Sequence, residues 1–247
     1  SKIRSYMVYK TKAGLKKPIS DATHTLHEIS FLVLRLQLES GITGESYLLS
    51  FQYSPRAIRG ALMDLLPEVV GYETYETGKV YEHLNGVSEY FGNTGVNRWA
   101  QAAINIAMWD AWGKTLQQPL HKIWGVHREQ CDIYGSGGWL SYTIDELVKE
   151  VTDYVSRGLK AVKIKVGSPD YKTDVARLRE VRAAVGKEVN IMMDANQGMQ
   201  PASARQLANA VADLNIYWFE EPLNRCDYDG YAQLKRSTGI SLAMGER

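Results

Sequence analysis

From residue 131 onward the chain alternates short apolar runs with amphipathic stretches, and this rhythm restricts the fold more than any other feature. Residues 131–134 predict a short strand and 143–157 a helix. Strands at 161–166, 189–194, 216–220 and 241–245 then alternate with helices at 171–185, 201–214 and 227–238. Such alternation builds parallel strands through right-handed crossovers. Strand ends near 135, 165, 194, 220 and 246 give repeats of 30, 29, 26 and 26 residues. That suits a closed (β/α)8 barrel, in which about 250 residues are spread over eight units. An open doubly wound sheet competes, but no Gly-x-Gly-x-x-Gly follows the first strand. The GSGG stretch at 135–138 is too short for that fingerprint and reads as a turn. A barrel is expected, with four and a half units present before Arg247.

The last three strands each finish on an acid: Asp194, Glu220 with Glu221 behind it, and Glu246. The spacings are 220 − 194 = 26 and 246 − 220 = 26, one βα unit each. Acids at the C-terminal ends of neighbouring parallel strands converge on the barrel mouth. Any one of them taken alone would cap the following helix or pair with a surface lysine. Three in register, after runs such as Ile-Met-Met and Tyr-Trp-Phe, favour a shared cation, because grouped carboxylates repel unless neutralised. An oxygen-only donor set suits Mg²⁺ better than Zn²⁺. On strand 161–166, Val162, Ile164 and Val166 alternate with Lys163 and Lys165, so one face is apolar and the other carries two amines. One strand away in the same barrel, those lysines face the carboxylates.

Residues 1–125 read differently, as an α+β domain, leaving the barrel half to 126–247. Strands are expected at 2–9, 28–38 and 45–49, with a turn at 39–44. The polar stretch 10–27 reads as a long loop of the kind that carries function. Helices are expected at 54–70, 79–90 and 97–115, the last with Trp99, Ala103, Ile106, Ala107 and Ala111 at helical spacing.

A formal charge of +1 gives no footprint for nucleic acid or an anionic membrane. No run approaches the roughly 18 apolar residues of a membrane helix, and the N-terminus lacks a signal-peptide core, so a cytoplasmic protein is expected. Cys131 and Cys226 lack metal-type spacing and read as free buried thiols.

Taken in order, several motifs resemble the enolase superfamily, and within it the mandelate racemase-like subgroup. They are Gly44-Glu-Ser-Tyr47, the helix from Ala100 to Lys114, Pro119-Leu120, Lys163-Ile-Lys165, Asp194-Ala-Asn196, Glu220-Glu-Pro222 and Gly245-Glu246. The resemblance runs over essentially the whole chain. Asn105 departs from it, since the family helix usually carries an acid there. The resemblance implies an α+β capping domain over a modified (β/α)7β barrel, of which this chain holds the first half, and an active site between them. It also implies Mg²⁺ on Asp194, Glu220 and Glu246, with the glutamate at 246 pointing to racemase-like members. Family members are commonly oligomeric, so a homo-oligomer is expected.

The chemistry follows from the difficulty of removing a proton α to a carboxylate, which places a second negative charge beside the first. Mg²⁺ would stabilise the developing enediolate; lysine with Mg²⁺ is a general pattern for this superfamily. The resemblance makes Lys165 the base, with Lys163 lowering its pKa and neutralising the substrate carboxylate. Asn196 is either a substrate ligand or a left-handed turn residue, and Glu221 belongs behind the ligands. Lys17, His24 and Trp139 are candidate contacts for a small carboxylate substrate. The leading expectation is dehydration of a sugar acid to a 2-keto-3-deoxy acid. The alternatives are a racemase or epimerase of a 2-hydroxy acid, and a non-catalytic fragment.

Overall fold

The computed structural model describes residues 1–51 and 54–246; Gln52, Tyr53 and Arg247 lie outside them. The chain forms two compact units, Ser1–Lys16 with Glu28–Gln130, and Lys17–His27 with Cys131–Arg247.

The first unit is built on an antiparallel sheet of β1 (Ile3–Ser20), β2 (Thr25–Leu38) and β3 (Thr43–Phe51), in the order β1-β2-β3. Along β2, Leu32, Leu34, Leu36 and Leu38 are buried, while Arg35 between them pairs with Glu45 on the other face. The helices are α1 (Pro55–Leu65), α2 (Thr77–Val87), α3 (Gly95–Leu116) and the single turn α4 (Leu120–Ile123). Ala100, Ala103, Ile104, Ala107, Met108 and Ala111 line the buried face of α3 and pack in one core with Leu34, Leu36 and Leu38. Trp99 and Ile106, assigned to the same stripe from their spacing, are about half exposed on the other side of α3. The helix expected at 54–70 stops at Leu65 and continues only as a 3-10 turn, Leu66–Val69, where Pro67 has no N–H for an α-helical bond.

The expected loop at 10–27 is instead two long strand ends joined by a tight turn. β1 runs to Ser20 and β2 starts at Thr25, and the Asp21 carboxylate accepts the N–H groups of Thr23 and His24, both at 2.7 Å. Residues 10–17 are largely exposed on both faces, so no apolar alternation marks them as strand.

The second unit is a parallel sheet, β4-β5-β6-β7-β8, with crossover helices. In chain order its elements are β4 (Gly135–Gly137), α5 (Ile144–Ser156), β5 (Ala161–Lys165), α6 (Tyr171–Val185), β6 (Asn190–Asp194), α7 (Pro201–Ala210), β7 (Ile216–Glu220), α8 (Tyr228–Thr238) and β8 (Leu242–Ala243). Five parallel strands of a barrel are thus present. Val162, Ile164, Ile191, Met193 and Phe219 point toward the helices and form the core with Leu147, Leu178 and Leu207. Thr143 caps α5 in a reciprocal pair with Glu146.

The first strand is shifted from its expected place: residues 131–134 are irregular and the glycines read as a turn form β4. The reason is close approach. A Cβ on Gly135 would run into the Tyr154 ring, and one on Gly137 into the Glu150 carboxylate, so only glycine lets α5 lie this near the strand. Cys131 and Cys226 are free but exposed, not buried, because both fall in connecting segments.

Candidate active site

The cross-strand register assembles the site. Lys165 lies opposite Asp194, Asp194 opposite Glu220, and Glu220 opposite Ala243, three residues before Glu246. Parallel strands in register point their opposed side chains to the same face, so these residues form one row at the C-terminal ends of the strands.

The row depends on an irregularity in β7. Ile191 lies opposite Ile216, but Met192 lies opposite Trp218, so Tyr217 is an extra residue. Carried on unshifted, the register would set Phe219 opposite Asp194 and turn Glu220 to the helix side. The bulge instead puts Glu220 in the row and buries Phe219 completely in the core.

Asp194, Glu220 and Glu246 each offer a carboxylate oxygen, and the three oxygens lie within 4.8 Å of one another. Lys165 Nζ donates to Asp194 Oδ2 at 2.6 Å, and Lys163 Nζ to Glu220 Oε1 at 2.7 Å with Asp194 Oδ2 at 3.8 Å. Three carboxylates against two ammoniums leave one formal negative charge, with Asp194 buried, Glu220 half-buried and Glu246 exposed. Burial works to lower the Lys163 pKa, but the hydrogen bond to Glu220 and the charges of Glu220 and Asp194 outweigh it, so its ammonium titrates above the ordinary lysine range. Trp218 Nε1 donates to Glu220 Oε2 at 3.0 Å, which orients the second acid.

Asn196 stands beside the cluster at φ 44°, in the left-handed region, with its N–H on Asp194 Oδ1 and its Nδ2 at 3.4 Å from Glu246 Oε2. Its Oδ1 is buried with no hydrogen-bond partner among the described residues. A buried orphan acceptor next to three carboxylates, all oxygen donors, fits a hard divalent cation and its water shell. Oxygens across such an ion stand about 4.2 Å apart, at about 2.1 Å from the metal, close to the spread seen here.

Aromatic rings wall the amines. The Trp139 ring lies 5.4 Å from Lys165 Nζ and the Tyr134 ring 5.4 Å from Lys163 Nζ. Lys17 and His24 have partners of their own in and beside the hairpin turn. Lys17 Nζ is held by both Glu146 oxygens at 2.6 and 2.7 Å, over the Tyr142 ring. The His24 ring Nδ1 is 2.7 Å from Thr23 Oγ1, inside the turn. Tyr134, Trp218 and Gln197 went unrecognised in the sequence. Gln197 Nε2 donates to Glu221 Oε2, whose other oxygen accepts the Glu246 N–H. An aromatic residue just before a strand carries no special signal, but Gln197, next to the Asp-x-Asn motif, was findable.

Fold and cluster together define an α/β-barrel protein with a divalent-cation centre and two amines set against it. Residues 3–125 match the mandelate racemase / muconate lactonizing enzyme N-terminal domain, and 146–247 match the enolase C-terminal domain-like family. The chain belongs to the mandelate racemase / muconate lactonizing enzyme family of the enolase superfamily. It is 31% identical to L-talarate/galactarate dehydratase of Salmonella typhimurium, over 94% of this chain and 60% of that protein. It is 28% identical to an L-Ala-D/L-Glu epimerase of Clostridium acetobutylicum, over 99% of this chain and 68% of that one. The crystal structure of the Salmonella typhimurium dehydratase with Mg and L-lyxarohydroxamate superposes with a TM-score of 0.92 at 28% identity, covering 99% of this chain and 64% of that one. A racemase from Streptomyces coelicolor with bound magnesium also reaches 0.92, at 27% identity, covering 99% of this chain and 69% of that one. The chain thus spans about 60–69% of the length of these relatives. Among the described residues, no helix is long and apolar enough to cross a membrane.

Proposed function

We propose that this chain carries the proton-abstracting and metal-holding part of an enzyme that dehydrates a sugar acid to a 2-keto-3-deoxy acid. The observation that carries the reading is the row itself, with Lys163 on Glu220 and Lys165 on Asp194 at one end of a parallel sheet. Asp194, Glu220 and Glu246 would hold Mg²⁺, which supplies fixed positive charge against the carboxylate charge that grows as the α proton leaves. Lys165 Nζ takes that proton as the neutral amine, its own extra proton having first been given up to solvent. The Lys163 ammonium, kept protonated by Glu220 and Asp194, offsets the substrate carboxylate. The β-hydroxyl then takes a proton from solvent and leaves as water, giving the enol of the keto acid. Asn196 and Trp139, which touch the cluster, are the proposed substrate contacts, with Lys17 and His24 contributing from the turn of the β1–β2 hairpin. The division into a capping domain, 1–125, and a barrel half, 126–247, belongs to the same proposal.

A second reading, epimerisation, keeps the first step and returns the proton to the α carbon. Relatives named as epimerases, matched over nearly all of this chain, favour it. The test is exchange of the α hydrogen in D₂O with Mg²⁺ and a library of sugar acids and 2-hydroxy acids, followed by NMR. Exchange lost in K165M, with semicarbazide-reactive keto acid formed, supports dehydration. Exchange and stereochemical scrambling without keto acid supports epimerisation. No Lys165-dependent exchange with any acid would overturn both and leave a non-catalytic chain.

A further inference from the structure

Arg177, on α6 and away from the carboxylates, is 3% exposed and makes an unusual set of bonds. Nη1 donates to Tyr142 O at 3.2 Å, and Nη2 donates to Gly138 O at 2.8 Å and Trp139 O at 3.0 Å. All three carbonyls belong to one segment, the loop between β4 and α5. Burying a guanidinium whose hydrogen bonds go only to carbonyls, with Nε unpartnered and the Asp174 charge one turn away offsetting only part of the cost, is expensive, and Leu178 and Val181 already seat α6 in the core. One turn earlier, the buried Asp174 carboxylate accepts Gly167 N and Ser168 N at 2.9 Å and Ser168 Oγ at 2.6 Å, fixing the loop after β5. α6 therefore presents a cation and an anion, each gripping a different loop at the C-terminal ends of the strands.

The loop gripped by Arg177 touches Lys165 in two ways. Gly138 O, which accepts from Arg177 Nη2, also accepts the backbone N–H of Lys165 at 3.1 Å. Trp139, whose carbonyl accepts from the same Nη2, sets its ring 5.4 Å from Lys165 Nζ. The loop's far side carries the hairpin turn, through Leu140 N to Ser20 O at 2.8 Å and Ser141 Oγ to Pro18 O at 3.1 Å. One planar, forked donor thus holds together the segment against which the proposed base rests, a task a lysine's point charge cannot perform.

We propose that Arg177 is a positioning residue for Lys165, acting through Gly138 O on its backbone and through Trp139 on its ammonium. The inference deepens the proposed function by naming what sets the geometry of the base, and its structural arm stands without that function.

The test uses the full protein labelled with 5-fluorotryptophan, the Trp139 ¹⁹F signal being assigned by its loss in W139F. In K165M that signal moves. In R177K, which keeps the charge but loses the fork, the Trp139 signal shifts or broadens while the other five tryptophans of the six keep their positions. The Mn²⁺ dissociation constant stays at the wild-type value, and kcat for α-hydrogen exchange falls roughly 10- to 100-fold with KM little changed, as expected for a misplaced reacting group. A folded R177K with Trp139 at its wild-type position would overturn the proposal, as would equal movement of all six signals. If R177K does not fold by circular dichroism, R177Q, which keeps two N–H donors, replaces it; loss of the fold in both makes Arg177 a stability residue and also overturns it. A wild-type protein with no exchange activity would sink the proposed function, and the fluorine signals would then decide the positioning role by themselves.

Discussion

Glu221 follows Glu220 in sequence, yet its carboxylate is directed elsewhere, because a φ of 37° turns the chain at that residue. It is 1% exposed. Oε1 accepts the Glu246 N–H at 3.0 Å, and Oε2 accepts Gln197 Nε2 at 3.1 Å. Gln197 Oε1 in turn accepts the Arg225 N–H at 2.9 Å. In E221Q one acceptor becomes an NH₂ donor. With the remaining oxygen kept on Glu246, that NH₂ faces Gln197 Nε2, donor against donor; with Gln197 flipped, the Arg225 N–H loses its acceptor. In the first case a part-buried bond to a charged carboxylate is lost, a change of about 1.5–3 kcal/mol; in the second the loss is a neutral, exposed bond, about 0.5–1.5 kcal/mol. Part of it falls on the tether of Glu246, the third oxygen of the cluster. Groups bracing a metal ligand typically change metal affinity by about 10- to 100-fold when altered, which is the same size. We therefore expect E221Q to bind Mn²⁺ about 10- to 100-fold more weakly than wild type in titration calorimetry. A folded E221Q whose dissociation constant stays within about twofold of wild type would refute the reasoning that Glu221 braces Glu246.

Two further outcomes concern the hairpin turn. At Gly167, φ is +101° and an added Cβ would lie 2.6 Å from Ala22 Cβ, so G167A is expected to lose about 1–3 kcal/mol in urea unfolding and to be cut faster by protease at the 21–24 turn. The hydrogen bond from Lys17, then the Thr143 N–H, holds Glu146 below the ordinary glutamate range. A depressed carboxylate contributes above its unfolded pKa and loses that contribution as pH falls through its folded one. Amide exchange in residues 17–24, corrected for its intrinsic pH dependence, is therefore expected to speed up on acidification below the ordinary glutamate range, and K17M to remove that response.

Elements whose physics is local were legible in the residues alone. The bounds of α6 and β7 coincide with the expected 171–185 and 216–220, since the polar turns that flank each of them are written in neighbouring positions. The 26-residue spacing of the acids likewise follows from one strand and one crossover per unit. Other features depended on partners distant in sequence. Residues 135–137 became a strand in which Gly135 and Gly137 let Tyr154 and Glu150 of α5 lie against it. Residues 10–20 extend β1 beside β2, and because few of them are buried no apolar alternation marks them as strand. Arg177 looks in sequence like any surface arginine of a helix, and only packing brings three carbonyls to it.

The sequence by itself therefore determined the alternation, the parallel sheet and the set of acids and amines that could meet at its end. Tertiary structure decided which of them do meet. The extra residue Tyr217 in β7 is what turns Glu220 rather than Phe219 toward Asp194. No local pattern encodes that choice, because strand register is settled only when both neighbours of a strand bury their apolar faces together.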